Sequence, residues 1–282
     1  MKSDQPKKIK ISSAAWVVFK KRLCELWPYC LGFTAISLIL NIISAKDLLH
    51  VMATFQTTLQ SGEPPSYGQS LLGGLASLVS IFFDLVIIYF FTATHLQRDP
   101  IDTKPDINTN NFILWLAAIS IPALVYYGRD IVTACTDIAG MGELSSTLTY
   151  GLDALGFIGL CVVVKYMFVV PLATTEIRQP LNVSAGLTQG HWWRLVWNQG
   201  TFSFTVFFCI LILTLPIIFL IIYLDGKETI LSIALVSFWL GLTAVIMNLS
   251  NAVFVSTACQ ILYDEKRQSD PYFVLKTIAK VT

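Results

Sequence analysis

The fold class that this sequence predicts is all-α: a polytopic transmembrane bundle of six helical spans, with interfacial helices on the cytoplasmic side. Three observations carry that expectation. The 282 residues are 55% hydrophobic and 13% charged, where an ordinary globular chain carries roughly 25% charge, so the charges cannot cover a soluble body of this mass. Apolar runs recur at or near the ~20 residues that cross a hydrocarbon core. Lys and Arg fall unevenly among the connections between those runs, which sets the orientation of a bundle. The same composition excludes disorder, and a formal net charge of +1 offers nucleic acid no basic footprint.

The elements follow in order. Residues 1–26 form a basic tail and an amphipathic helix. In the helix Ile11, Ala15, Val18, Phe19, Leu23 and Leu26 recur at i, i+3/i+4 spacing, with Lys20 and Lys21 on the other side. Such a helix lies in the headgroup region with its basic face toward anionic lipid. Residues 27–262 form the transmembrane domain. Its first span, Trp27 to Ala45, is expected to be an uncleaved anchor, because its polar lead is too long for a signal n-region and Ile43-Ser44-Ala45 is a poor cleavage site. The second span runs from Leu71 to Thr92. The third, Phe112 to Tyr127, is short, carries Pro122 and can extend past Gly128. The fourth runs from Leu152 to Ala173, the fifth from Thr201 to Leu224 and the sixth from Ile230 to Leu262. None alternates in polarity as a barrel strand would. Residues 263–282 form a cytoplasmic tail, and Trp192, Trp193 and Trp197 mark an aromatic belt where the fifth span begins.

Fifteen of the nineteen Lys and Arg residues lie on one side of these spans. They are in the N-terminal segment (Lys2, Lys7, Lys8, Lys10, Lys20, Lys21, Arg22), the second and fourth connections (Arg98, Lys104, Arg178, Arg194) and the tail (Lys266, Arg267, Lys276, Lys280). Only Lys46, Arg129 and Lys227 lie opposite. The expected location is therefore a bacterial inner membrane, multi-pass, with both termini cytoplasmic.

The spans also carry an internal likeness. The second exits as F-T-A-T-H-L-Q-R-D-P and the fourth as P-L-A-T-T-E-I-R-Q-P, so that Ala93/Ala173, Thr94/Thr174, Arg98/Arg178 and Pro100/Pro180 coincide at an offset of 80, and Ala258 follows in S-T-A-C-Q. Three hairpins of about 80 residues are the expected plan. Counting back from those alanines puts Asp84, Lys165, Asn248 and Asn251 at nearly one depth inside the spans. Each lone charge there costs roughly 2.5–3.5 kcal/mol on insertion scales, so the expected arrangement turns them inward and pairs Asp84 with Lys165. Two readings stand: a structural polar knot that fixes helix register, and a pathway or binding site for a translocated solute.

No catalytic residue and no cofactor is expected. The chain has no G-x-S-x-G elbow, no Walker sequence, no G-x-G-x-x-G and no H-E-x-x-H. His95, Glu176 and His191 end at one surface, but three such residues from separate connections are a weak metal signal, and no metal is expected. The six cysteines include no C-x-x-C and read as small apolar side chains.

The most distinctive stretch reads P-L-A-T-T-E (171–176) and then S-A-G-L-T-Q-G-H-W-W (184–193). Pro171, Glu176, Ser184, Leu187, Gly190 and Trp193 spell P-x4-E followed by S-x2-L-x2-G-x2-W. This pattern resembles the YciC-like group of uncharacterised bacterial inner-membrane proteins, and the related membrane domain found ahead of some glycerophosphodiester phosphodiesterase domains. The resemblance implies six spans and an amphipathic start, but no catalysis, because no catalytic domain accompanies it in this chain. Physically the stretch is a re-entry device. Pro171 kinks or ends the fourth helix, Pro180 suits the first turn of the next, and Gly190 closes that helix with a left-handed cap. Glu176 and Arg178 lie within reach of Arg98 or Arg194.

The expected function is that of a non-enzymatic integral protein supporting envelope organisation or lipid handling. Membrane lipids are the expected partners, with a homo-oligomer as the candidate protein partner and no nucleic acid. The alternative is a small-solute transporter or channel built on the polar layer. An alkaline phosphatase reporter fused after Thr282 is expected to be inactive on the outer side of the membrane; activity there would overturn the orientation.

Overall fold

The computed structural model describes residues 10–61, 71–101, 105, 109–139, 164–175, 177, 179–223, 230–270 and 273. Among these residues all regular structure is helical: α1 (Ile11–Ser61), α2 (Leu71–Arg98), α3 (Thr109–Ala139), α4 (Val169–Thr174), α5 (Pro180–Thr188), α6 (Trp192–Tyr223) and α7 (Ile230–Ser269). Three of them hold stretches long and apolar enough to cross a membrane: Leu78–Arg98, Trp192–Leu220 and Leu231–Ser269. Most of the expected fourth span lies outside the described residues.

The N-terminal part departs from expectation. Residues 11–26 and the first span are one helix of 51 residues, about 77 Å long at 1.5 Å per residue. Pro28 lies inside it without ending it, although proline removes one helical hydrogen bond. The reason is lateral packing. Ile11, Ala15, Phe19, Leu26 and Cys30 are all buried and form one stripe that continues through Pro28. That stripe meets α7, the most extensive helix–helix contact in the structure. The apolar face of residues 11–26 is therefore spent on the protein core rather than laid into the headgroup region. Lys20 and Lys21 are exposed, as the amphipathic spacing requires.

Helices α1 and α7 run antiparallel and form the spine. Arg22 of α1 and Gln260 of α7 both bond to Asp99, at the end of α2, so the start of α1 lies beside the end of α7. Helix α2 joins this spine, and α3 and α4 pack on α2 through a cluster of Tyr89, Trp115, Ile119 and Val169. The ring of Trp115 is fully buried and its Nε1 donates to the Val170 carbonyl at 3.1 Å, which fixes α4 against α3. Helix α3 does extend past Gly128, to Ala139.

Helix α6 is peripheral. Only 11% of its apolar stretch is buried, and Phe204, Phe207, Phe208, Leu213 and Phe219 are exposed. Its inner edge, Phe202, Val206 and Ile210, joins the main core. Two polar contacts secure its first turns. Arg194 grips Glu265 of α7 through two parallel hydrogen bonds of 2.7 and 2.9 Å, the bidentate geometry that makes such pairs specific. Asn198 accepts from the backbone N–H of Ser12 at 2.9 Å. That N–H is one of the four that the start of α1 cannot satisfy internally, so α6 caps α1.

If the α1–α7 stripe is what seats the N-terminal helix, Phe19→Ala should cost about 3–5 kcal/mol, as large-to-small aromatic truncations in cores do. The expected readout is a lower apparent melting temperature in detergent, with exposed Val17→Ala as a control that leaves it unchanged.

Candidate functional site

Of the four residues expected at one depth, two meet side chain to side chain. Asn248 of α7 donates to Asp84 Oδ1 of α2 at 2.8 Å, so the two helices present their polar residues to each other at one level. Asn251, one turn further along α7, is half-buried. Lys165 is not Asp84's partner. Its side chain is exposed and its Nζ lies 5.4 Å from the centre of the Tyr166 ring. An amide answers the carboxyl in its place and brings no charge with it.

Residue 165 matters instead through its backbone. The helix that carries it breaks in a turn at Met167 and Phe168 before α4 begins. Pro171 explains the break, because it has no N–H to offer the Met167 carbonyl and its ring crowds that group. The carbonyl of Lys165 is then taken up by α5, where Ser184 Oγ donates to it at 3.2 Å and Thr188 Oγ1 at 3.1 Å. Ser184 and Thr188 are four residues apart and so share one face of α5. The helix thus breaks four residues before Pro171 and the chain turns into α5. Pro180 opens α5, and Gly190 follows it with φ +79°, a left-handed conformation that favours glycine. Gln179 adopts φ 57° at the start of α5, which nothing in its side chain anticipates. Trp193 is two-thirds exposed, and Trp192 and Trp197 are exposed beside it. Glu176 and Arg178 lie outside the described residues.

The densest polar constellation among the described residues centres on Arg22, outside the motifs that the sequence singles out. Arg22, which the sequence marks only as one of the orienting cations, has a side chain just 3% exposed. Its three nitrogens are all engaged. Nε donates to His95 Nδ1 at 3.3 Å, one terminal nitrogen donates to Glu25 at 2.6 Å, and the other bonds to Asp99. Arg98 reaches the same Glu25 carboxylate, and Gln260 Nε2 donates to the Asp99 carbonyl. Residues from α1, α2 and α7 meet here. A signal for it was present: Arg22 falls on the stripe Ile11, Ala15, Phe19, Leu26, Cys30, and a charge on an apolar stripe must find partners when that stripe is buried.

The cluster has a clear electrostatic logic. The hydrogen bond from Arg22, helped by the charges of Arg98 and Lys21, holds the Glu25 carboxyl below the usual carboxylate range, against a smaller opposing effect of burial. His95 accepts from a guanidinium at Nδ1, so its ring is neutral and carries its proton on Nε2. His95 is thereby committed to α1, and it does not stand open to the surface as a metal ligand would.

Comparison with protein-family models, curated proteins and solved structures finds no match for this chain.

The cluster makes two outcomes testable. Truncation by Arg22→Ala leaves the buried His95 Nδ1 without its donor, while Glu25 and Asp99 are exposed enough to turn to water, and should cost about 1–3 kcal/mol. A depressed carboxyl stabilises the fold above its unfolded pKa and loses that contribution as pH falls through its folded value. The apparent melting temperature should therefore fall as the pH drops below the ordinary glutamate pKa of about 4.3, and Glu25→Gln should flatten part of that fall.

Proposed function

We propose that this chain is a non-enzymatic integral membrane protein that organises or handles membrane lipid, in a bacterial inner membrane with both termini cytoplasmic, in keeping with its resemblance to the YciC-like group. One observation carries the proposal: a lateral groove of about 380 Å³ between α6 and α7. Phe207, Leu211, Ile218, Val236 and Leu240 line it, and its polar groups are Thr214, Trp239 and Thr243. Thr214 and Trp239 satisfy each other, because Trp239 Nε1 donates to Thr214 Oγ1 at 3.0 Å while that hydroxyl donates to the Ile210 carbonyl, and the Thr243 hydroxyl is the one polar atom of the described lining left unpartnered. The volume lies within the range of small-molecule sites, roughly 300–1,000 Å³.

The groove opens beside the exposed apolar surface of α6, so an acyl chain can enter from the surrounding bilayer without crossing a polar barrier. Asp84 and Asn248 are instead satisfied by each other. A lateral apolar groove together with a paired polar layer fits lipid contact better than solute transport.

Val236 is buried at the groove, and Val236→Trp fills it. Native mass spectrometry of the wild-type chain from gentle detergent should show retained phospholipid, and the variant should lose most of it with helical content unchanged. Equal retention by a folded variant would sink the proposal.

A further inference from the structure

Near their starts, α1 and α6 leave a cleft of about 330 Å³ between them, lined by Ser12, Ser13, Trp16, Thr201, Phe202 and Thr205. It is separate from the groove between α6 and α7. Thr205 and the groove's Thr214 are nine residues apart, two and a half turns, and so stand on opposite faces of α6. The floor of the cleft is fixed by packing. The ring of Phe202 is buried, meets Trp16 and Phe19 edge-on at 6.4 and 5.9 Å, and stacks on Phe254 at 5.3 Å. The two walls are joined at one end, where Asn198 accepts from the Ser12 N–H.

The level of the cleft in a bilayer follows from α6. Trp192, Trp193 and Trp197 are exposed, as a belt at the membrane–water interface is. Thr201 lies one turn beyond Trp197 and donates to its carbonyl at 2.8 Å, so the cleft opens beside that belt. Further along, the same face of α6 continues in Phe208, Ile212 and Phe219, all exposed. A polar cleft at the interface above an apolar, lipid-facing strip has the outline of one phospholipid.

The walls carry charge of one sign. Lys20 continues the stripe of Ser13 and Trp16, and its Nζ stands 5.9 Å from the centre of the Trp16 ring, within cation–π range. Residues 10–21 include Lys10, Lys20 and Lys21 and no acid, and residues 192–223 include Arg194 and no acid. Glu265 of α7, which bonds to α6, is matched by Arg194, and Glu25 of α1 is matched by Arg22 and Arg98. The hydroxyls divide by role. Those of Thr201 and Thr205 donate to the Trp197 and Thr201 carbonyls, which leaves their oxygens as acceptors, whereas Ser12 and Ser13 supply donors.

We propose that this cleft binds the headgroup of one anionic phospholipid, its phosphate on Lys20 and the Ser12 and Ser13 hydroxyls and its acyl chains along Phe208, Ile212 and Phe219. A zwitterionic headgroup fits less well, because its ammonium meets walls that offer it no carboxylate, and the Trp16 ring that could attract it is taken by Lys20. Headgroup hydroxyls, as in phosphatidylglycerol, find acceptors in Thr201 and Thr205. The inference shares with the proposed lipid groove only the bilayer setting.

The test is native mass spectrometry of the full-length chain after delipidation. Equimolar phosphatidylglycerol and phosphatidylcholine are added in detergent, and their ratio is read in the species that carries one lipid. Wild type should favour phosphatidylglycerol by roughly fivefold, which is what one lysine beside anionic lipid is worth. Lys20→Gln should bring the ratio near one. Thr205→Trp, which fills the cleft from an exposed position on α6, should do the same. Arg267→Gln removes an equal charge from an exposed position near the end of α7 and should keep the preference, as should Val236→Trp in the groove. A wild-type ratio near one overturns the proposal, and so does a preference that folded Lys20→Gln or Thr205→Trp retains. An equal loss in Lys20→Gln and Arg267→Gln would mark diffuse surface charge rather than a cleft, and also overturns it.

Discussion

Burying the Arg22 guanidinium is the constraint from which the rest of the assembly follows. A cation on the one stripe of α1 that meets α7 cannot be left in an apolar contact, where desolvation costs several kcal/mol per ion. It must be surrounded, and the groups that surround it come from different helices: Glu25 from α1, His95 and Asp99 from the α2 end. Satisfying one charge therefore sets the rotation of α1, its height against α2 and, through Gln260 and Asp99, the height of α7. Replacing all of these groups by matched apolar residues would cost the fold little, by the usual comparison, but it would remove what sets the register.

Within the bilayer such devices carry more of the specificity, because lipid tails are as apolar as leucine and hydrophobic burial does not tell one helix face from another. The α4–α5 turn shows the same economy on the backbone. Pro171 leaves the Met167 carbonyl without its helical donor, and beside that break the hydroxyls of Ser184 and Thr188 bind the Lys165 carbonyl, so that irregular backbone is tolerated where protein rather than lipid surrounds it. The P-x4-E…S-x2-L-x2-G-x2-W pattern is, at Pro171, Ser184 and Gly190, the record of that turn: one residue breaks the helix, one repairs the broken end, and one reverses the chain.

This also explains what could be read from the sequence and what could not. Local rules were sufficient for Pro180 and Gly190, whose backbone preferences do not depend on any neighbour. Periodicity was sufficient to bring Asp84 and Asn248 to one level, because depth along a helix follows from counting. Direction around the helix axis does not follow from counting, and the pairing of Asp84 with Lys165 failed on it: Lys165 points outward from its helix and an amide took its place. The treatment of residues 11–26 failed for a related reason. An apolar stripe of correct spacing serves a lipid headgroup layer or a second helix equally well, and Arg22 was the residue that distinguished them. A headgroup layer would have let that guanidinium reach water, whereas only a packed helix would force it into a three-helix cluster.

The two sides of α7 then divide the labour of the bundle. Toward α6 it presents Val236, Trp239 and Leu240, the indole matched by Thr214, with the Thr243 hydroxyl the one polar atom of the described lining left over, a surface suited to a largely apolar occupant. Toward α2 it presents Asn248, Ser256 and Gln260, opposite a carboxyl, a hydroxyl and an imidazole. Unpaired buried hydroxyls cost about 1–3 kcal/mol each, a large share of a stability that totals only 5–15 kcal/mol in ordinary domains. A helix with hydrogen-bonding residues on one face and an apolar groove on the other keeps its contacts only while the two faces stay in register. Keeping the two faces apart requires that α7 not rotate. The bidentate Arg194–Glu265 bond on one side and the Asp84–Asn248 bond on the other hold it against rotation in either sense.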